Sequence, residues 1–344
     1  MNNKQQSISG RILKTFGKYL LVALAISGLV SCGSSNSVDE PILIKFPHVT
    51  SPNTPKGLAA ERFKSLVEER LAGRVVVEVY PSGQLMNDDD SIEALAFGEV
   101  QMIATSLSKF DRLTNKFQVF DLPFLFPNLD VIEKFQTGQA RSALLGAMSS
   151  HGLQGLGFWH NGMKHFTGPV PMSDPEAATG LKFRIMESDV LQAQILQIGG
   201  SPQKMAFVEV YQALQTGAVD AQENTWSNIY SSKFYEVQKH LTVTNHGYVG
   251  YLIAVNSAFW SGLPGDIRTE LEAIVDEVSA WANQRAKSIN EEALNKIIDS
   301  EKSEITYLTA EQLMIWQKKM RPLWTDFSDK IGPDIISAAQ SASN

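Results

Sequence analysis

The stretch from residue 42 to residue 81, "ILIKFPHVTSPNTPKGLAAERFKSLVEERLAGRVVVEVYP", contains the pattern that decides the fold class. Its two ends, "ILIKFPH" and "VVVEVYP", are short apolar runs rich in β-branched residues, which is typical of strands. Between them, "TPKGLAAERFKSLVEERLAG" has apolar residues at helical spacing and ends at Gly73. The stretch predicts a strand, a helix and a second strand, which is the repeating unit of α/β proteins.

The same alternation continues along the chain. Helical and strand-like patterns follow one another as "DDDSIEALAFGEV", "QMIATS", "LKFRI", "SDVLQAQILQIGG", "VEVYQALQTGAV" and "DAQENT". We therefore expect largely parallel sheets. The frame A-L-x-x-G-x-V starts at Ala94 and again at Ala213, and each copy predicts a helix that a glycine ends just before a strand. This short match does not prove a duplication, but it favours two similar lobes whose strand ends face a shared crevice.

The C-terminal third is predicted to be helical. Between Pro264 and about Ser300 there is no glycine or proline after Gly265, and apolar residues keep helical spacing at Leu271, Ile274, Val275, Val278, Trp281 and Ala282. At ~1.5 Å per residue this helix would be roughly 50 Å long, enough to cross both lobes. A second helix is expected over residues 309–331, with Thr309 as its N-cap.

The N-terminal segment is typical of an export signal. Four basic residues precede the short apolar run "YLLVALAISGLVSC", which is too short for a membrane-spanning stop. Leu29-Val30-Ser31-Cys32 resembles a bacterial lipobox, so we expect cleavage after residue 31, acylation of Cys32 and a tether over residues 32–40. A core thiol is the alternative for the single cysteine, but "GSSNS" after it fits a core poorly.

Size and charge limit what the mature chain can bind. Removing 31 of the 344 residues leaves 313, which favours two domains. The removed segment holds four of the 30 basic and none of the 37 acidic residues, so the formal charge falls from −7 to −11. Without a basic run we expect no nucleic-acid partner. An acidic protein can still bind an anion if it concentrates a few cations in one cleft.

Motifs for covalent or metal chemistry are missing from the sequence. The six histidines form no H-E-x-x-H pattern, no G-x-S-x-G occurs, and "GLQGLG" (152–157) lacks the glycine order of a dinucleotide loop. The acidic triplet at residues 88–90 begins a predicted helix, where acids are favourable without any catalytic role. We therefore predict no catalytic residue, no metal and no cofactor.

The segment "GLKFRIMES" (180–188) places two cations on a strand. Leu181, Phe183 and Ile185 would point to one side, and Lys182 and Arg184 to the other. A solvated sheet face and a cleft remain equally open at this point.

Several longer stretches, taken together, identify a family. They are "KFPHVTSPNTPKGLAAERF", "FQVFDLPFLF", "FWHNGMKHF", "PQKMAFVEVYQALQTG", "VDAQENTWSNIYSSKFYEVQKHLTVTNHGY" and "FWSGLPGDIR". They resemble the solute-binding receptors of TRAP transporters, above all the DctP-type C4-dicarboxylate receptors, over nearly all of the mature chain. The resemblance implies an α/β, two-lobed periplasmic binding protein fold of type II-like form, with the ligand cleft between the lobes. We assign residues 41–161 and 250–290 to one lobe, and 162–249 and 291–344 to the other.

The resemblance also implies a ligand site. Arg184 matches the arginine that forms a two-pronged salt bridge with the ligand carboxylate, which a guanidinium fork suits. Lys182 is then simply solvated. Asn224, in "QEN", matches a residue that adds a hydrogen bond, and Phe207 matches an aromatic that packs over the ligand, with an ordinary core position as the alternative.

Six further candidates follow from the same resemblance. Lys164 stands where sialic-acid receptors of the family carry a second arginine, which favours the dicarboxylate branch, and Asn161 is a polar neighbour on the same strand. In the first lobe the candidates are His48, Lys56, Ser106 and Lys109. A solvated loop is the alternative for the last two.

The expected function is that of a lipid-anchored periplasmic receptor. It would bind a small organic acid, such as succinate, malate or fumarate, and deliver it to the small and large membrane subunits of a TRAP permease. Two alternatives remain open for a binding protein: a sensory lipoprotein, and a receptor for a monocarboxylate, keto acid or aromatic acid. A secreted enzyme acting on small acids is an alternative from another class.

Overall fold

The computed structural model describes residues 40–343. The predicted signal segment, Cys32 and nearly all of the tether lie outside the described residues. The strands of the described part are β1 (Ile42–Pro47), β2 (Val75–Tyr80), β3 (Met102–Ser106), β4 (Leu153–Gly168), β5 (Lys182–Ile185), β6 (Ser201–Lys204), β7 (Ala221–Asn224), β8 (His240–Asn256) and β9 (Glu304–Tyr307).

The α-helices of the same residues surround two sheets. They are α1 (Pro55–Arg70), α2 (Asp88–Phe97), α3 (Leu129–Thr137), α4 (Arg141–Leu145), α5 (Asp189–Gln197), α6 (Val210–Thr216), α7 (Trp226–Ser231), α8 (Ser257–Gly262), α9 (Gly265–Asp299), α10 (Ala310–Met320), α11 (Pro322–Asp326), α12 (Ser328–Ile331) and α13 (Pro333–Ala342). Between residues 40 and 343, no helix combines the length and apolar character needed to cross a bilayer.

The predicted strand, helix and strand at the start of the mature chain are confirmed. β1 and β2 pair in parallel from Ile42 opposite Val75 to Pro47 opposite Tyr80. Thr54 caps α1 by accepting from the amide of Gly57 at 3.3 Å. The N-terminus of α1 is thereby held against the loop that leaves β1.

The expectation of largely parallel sheets is wrong for the centre of the molecule. The larger sheet has the order β3-β8-β4-β7-β5-β6, with β9 beside β8, and β4 is antiparallel to both β7 and β8. β4 and β8 have 16 and 17 residues, so each runs for about 50 Å at ~3.3 Å per residue. Pairing of these two distant strands, interrupted by three register shifts, leaves no local trace in the sequence.

The long helix is confirmed, with bounds within one residue of those predicted. Toward its N-terminus, Leu271 and Val275 of α9 pack in a core with Phe63 of α1. Toward its C-terminus, Ala293 and Ile297 belong to a separate core that α6 and α7 also build. α9 therefore contributes to two hydrophobic cores, as expected of a helix that crosses both lobes.

The single helix expected over residues 309–331 is divided into α10, α11 and α12. Thr309 does cap α10, in a reciprocal pair with Gln312. The first break falls at Arg321, because Pro322 has no amide hydrogen and restricts the residue before it.

The repeated A-L-x-x-G-x-V frame forms the same local structure twice. α2 ends at Gly98 and α6 ends at Gly217, both in the left-handed conformation, with φ of 78° and 71°. The following strands end at Ser106 in β3 and Asn224 in β7. The two units thus present polar residues at the ends of two strands of one sheet. The boundaries assigned to the two lobes stay a prediction.

Candidate functional site

A small buried cavity collects side chains from distant parts of the chain. It encloses about 20 Å³, close to the space of one water molecule. A four-carbon acid would fit only if the surrounding elements moved apart. Its lining residues are Val49, Thr50, Lys56, Asp88, Ser106, Arg184, Met186, Phe207, Glu223, Asn224, Asn228, Val249 and Tyr251.

Arg184 lies on β5 with 2% of its surface exposed, and it lines this cavity. Its Nε and Nη2 both donate to the carbonyl oxygen of Met205, at 3.1 and 2.9 Å. Burial lowers the pKa of the guanidinium to about 10, so the group remains protonated at neutral pH. These two bonds fix the orientation of a buried cation that has no carboxylate within ion-pair distance among residues 40–343.

Lys56 supplies a second buried cation to the same cavity. It sits in the first turn of α1 and is fully buried, with Nζ 4.1 Å from the centre of the Tyr251 ring. Nζ has no hydrogen-bond partner among the described residues. Burial lowers the pKa of this amine, and the charge of Asp88 opposes that effect. The ammonium therefore lies in a position that a ligand carboxylate would stabilise.

Asn224 and Phe207 also line the cavity. The side-chain oxygen of Asn224 accepts from Asn228 at 2.9 Å, which fixes the amide at the end of β7. Phe207 lies beneath the Arg184 guanidinium at 5.9 Å and packs edge-on against Phe234. The two readings of Phe207, as a lining aromatic and as a core residue, therefore both apply.

Lys164 does not line the cavity, contrary to what the resemblance implied. Its Nζ donates to Glu223 Oε1 at 2.6 Å, and the two side chains are 1% and 3% exposed. Glu223 Oε2 accepts from His246 at 2.7 Å and from Gln194 at 3.1 Å. Burial alone raises the pKa of Glu223, but Lys164 and His246 outweigh it and lower this pKa to about 2. The lysine is thus committed to a carboxylate that itself faces the cavity.

Asn161 likewise lies one contact away from the cavity. Its Nδ2 donates to the Tyr251 hydroxyl at 2.6 Å, and its Oδ1 accepts from Thr225 and Ser227. The amide therefore positions Tyr251, which does line the cavity, and has no place for a direct ligand contact.

The first-lobe candidates divide in the same way. Ser106 lines the cavity with 4% exposure, so the solvated-loop alternative is wrong for it. Lys109 is also buried, but its Nζ donates to Asp89 at 2.7 Å away from the lining residues. His48 is buried beside Thr50 at 3.4 Å and does not line the cavity. Burial and the nearby Lys56 lower the pKa of His48 to about 3.

Sequence reasoning missed several lining residues. Asp88 was interpreted only as a favourable first-turn acid of α2, yet it is 8% exposed and faces the cavity. Glu223 lies inside the "QEN" motif, which was the signal that could have found it. Tyr251 and Asn228 carry no such signal, because their position depends on pairing between distant strands.

A larger cavity, of about 300 Å³, lies elsewhere in the molecule. Its charged lining residues are Lys287, Asp130 and Glu291, so acids outnumber cations there. Volume alone therefore does not identify an anion site. Between residues 40 and 343, no group of three or more His, Cys, Asp or Glu side chains is arranged to hold a metal ion.

A two-lobed α/β fold with buried cations in a cavity between distant segments is typical of extracytoplasmic solute-binding proteins. The profile of bacterial extracellular solute-binding protein family 7, also called DctP, matches residues 46–330. This chain belongs to that family.

Individual relatives agree with this assignment. The C4-dicarboxylate-binding periplasmic protein DctP of Shewanella loihica is 48% identical over 325 residues, covering 94% of this chain and 96% of the relative. A TRAP periplasmic solute-binding protein from Shewanella oneidensis, solved with bound succinate, has a TM-score of 0.87 and 48% identity, covering 88% of this chain and all of that one. A Pseudomonas aeruginosa counterpart with bound L-malate has a TM-score of 0.82 and 45% identity, covering 83% and 100%. The resemblance to TRAP receptors and the two-lobed fold expected from it are confirmed.

Proposed function

We propose that this chain is the extracytoplasmic receptor of a TRAP transporter and binds a C4-dicarboxylate such as succinate, malate or fumarate. The observation that carries the proposal is that two buried cations, Arg184 and Lys56, line one cavity without a carboxylate partner. A buried charge without a partner is costly, and a ligand carboxylate beside each cation would offset that cost. The relatives solved with succinate and L-malate support the choice of a short diacid.

The two cations come from elements that are far apart in sequence. Arg184 is fixed on β5, and Lys56 is fixed at the start of α1. A diacid that binds both cations would therefore hold these elements together. Closure around it would exclude water and strengthen both ion pairs.

Isothermal titration calorimetry with succinate tests the proposal. We expect Arg184→Ala to weaken binding by about 2–5 kcal/mol, or about 30-fold to several thousand-fold, because it removes one partner of a buried charge pair. Arg184→Lys should also bind poorly, since an ammonium cannot offer two parallel donors. Lys182→Ala is the matched control, because Lys182 lies on the same strand with 43% of its side chain exposed. Affinity in Arg184→Ala within threefold of wild type would overturn the assignment.

We also propose that Cys32 carries the lipid that anchors this receptor, which then delivers its ligand to the small and large membrane subunits of the permease. The lipobox-like residues 29–32 at the end of an apolar run support this proposal. Intact-mass analysis of the membrane fraction should find an acylated chain that begins at Cys32. Cys32→Ser should move the protein to the soluble periplasmic fraction, and a membrane-bound Cys32→Ser protein would contradict the anchor.

A further inference from the structure

The carboxylate of Glu223 poses an electrostatic problem for a site that binds acids. It lines the same cavity as Arg184, and its low pKa keeps it ionised at neutral pH. A bare carboxylate there would repel a ligand carboxylate by Coulomb interaction. The charge must be compensated for the site to accept a dianion.

The hydrogen bonds of Glu223 show which group compensates it. Its ionised carboxylate can only accept, so His246 must donate from Nε2. Burial lowers the pKa of His246, so the imidazole is neutral, and its Nδ1 accepts from the Thr244 hydroxyl at 2.6 Å. Gln194 is a neutral donor as well. Lys164 is therefore the one full positive charge within ion-pair distance of Glu223 among the described residues.

We propose that Lys164 determines the affinity of the site for dianions without touching the ligand. It neutralises Glu223 from the side away from the cavity lining, and so removes the repulsion that the ligand would otherwise meet. Lys164 is a positioning residue in this scheme. The inference rests on the proposed function, because it assumes that the ligand is an acid.

A second buried acid lies near Lys164 and does not alter this assignment. Asp121 accepts from the Ser108 hydroxyl at 2.6 Å and lies beyond ion-pair distance of Lys164. It does not line the cavity, whereas Glu223 does. The charge that a ligand meets directly is that of Glu223.

Calorimetry on a set of variants at pH 8 tests the inference, with succinate as the dianion and succinamate as the monoanion. Lys164→Met should weaken succinate binding at least ~30-fold and succinamate binding only about fivefold, because repulsion grows with ligand charge. Glu223→Gln should bind succinate at least as tightly as wild type. The double variant should return to within about fivefold of wild type, because both charges are then absent.

Each alternative gives a different result. If Lys164 bonded the ligand directly, the double variant would remain as weak as Lys164→Met. If Lys164 served only the fold, both ligands would lose the same factor. Should Lys164→Met fail to fold, the other two variants still decide: weaker succinate binding in Glu223→Gln, or a loss above 30-fold in the double variant, would overturn the inference. Absence of succinate binding by the wild-type protein would instead refute the proposed function.

Discussion

Arg184 and Lys182 lie two residues apart on β5, yet they occupy different environments. Arg184 is 2% exposed and lines the cavity, whereas 43% of the Lys182 side chain is exposed and its Nζ donates to the Gly217 carbonyl. Strand alternation predicts only that both leave the face of Phe183. The surrounding elements, above all the carbonyl of Met205, decide which cation is buried.

At the level of single residues, Lys56→Met should raise stability and remove function. Methionine has nearly the shape of lysine and no charge, so we expect unfolding free energy to increase by about 1–3 kcal/mol. Succinate affinity should fall at least ~30-fold, because one carboxylate loses its cation. Urea denaturation and calorimetry measure the two effects.

The control for this substitution is Lys64→Met on the same helix. Lys64 is 37% exposed on its side chain, in a surface pair with Glu68, so its removal should change stability by less than about 0.5 kcal/mol and leave binding intact. A Lys56→Met protein that is less stable, or that binds succinate normally, would show that Lys56 has another role.

Among the elements, the first turn of α1 is the one that places a cation in the cavity. Thr54 caps the helix, Pro55 begins it and Gly57 lets its backbone approach the preceding loop. A Cβ on Gly57 would lie 2.4 Å from the Ser51 carbonyl oxygen and 2.6 Å from Pro52 Cα. Because both are backbone atoms, the turn has no easy way to adjust.

Gly57→Ala should therefore move the first turn of α1, and Lys56 with it. We expect a loss of about 1–3 kcal/mol in stability from overpacking, together with weaker succinate binding. Gly265→Ala at the start of α9 is the matched control, because its Cβ would meet nothing within 4 Å. Equal stabilities for the two variants, from thermal unfolding, would contradict the close approach at Gly57.

Across the whole molecule, buried histidines should make the fold sensitive to acid. Burial lowers the pKa of His48 to about 3 and of His160 to about 4, and it lowers those of His165 and His246 as well. In the unfolded chain these groups take up protons below about pH 6.5. Their contribution to stability is therefore complete above pH 6.5 and decreases as pH falls, by up to about 1.4 kcal/mol per pH unit for each histidine.

Two buried acids modify this profile. Burial raises the pKa of Asp121 to about 6, so this group stabilises the fold as pH falls from 6 toward its unfolded value near 4. The low pKa of Glu223 adds a further loss below about pH 4.5. Four histidines outweigh one aspartate, and urea unfolding should show lower stability at pH 5.5 than at pH 7.5. Constant stability over that interval, or NMR titration of all four imidazoles near pH 6.5, would refute the assignment of buried neutral histidines.

How much of this fold the sequence predicts depends on the range of the interactions. The first strand, helix and strand, the length of α9 and the glycine stops at residues 98 and 217 follow from local periodicity and backbone preferences. The division of the C-terminal helix at Pro322 was also a local signal, and it was overlooked. The antiparallel pairing of β4 with β8 was not predictable in this way, because partners such as His160 and Gly250 lie far apart in the chain.

The sequence by itself determined that this protein has two α/β lobes, an export signal and an arginine on a strand suited to a carboxylate. Only the tertiary structure decided which cations serve the cavity: Lys56 and Arg184 remain without carboxylate partners, while Lys164 and Lys109 are paired with Glu223 and Asp89. The physical reason is that periodicity and propensity act over a few residues. The free energy of a buried charge instead depends on groups that only the folded chain brings within a few ångströms.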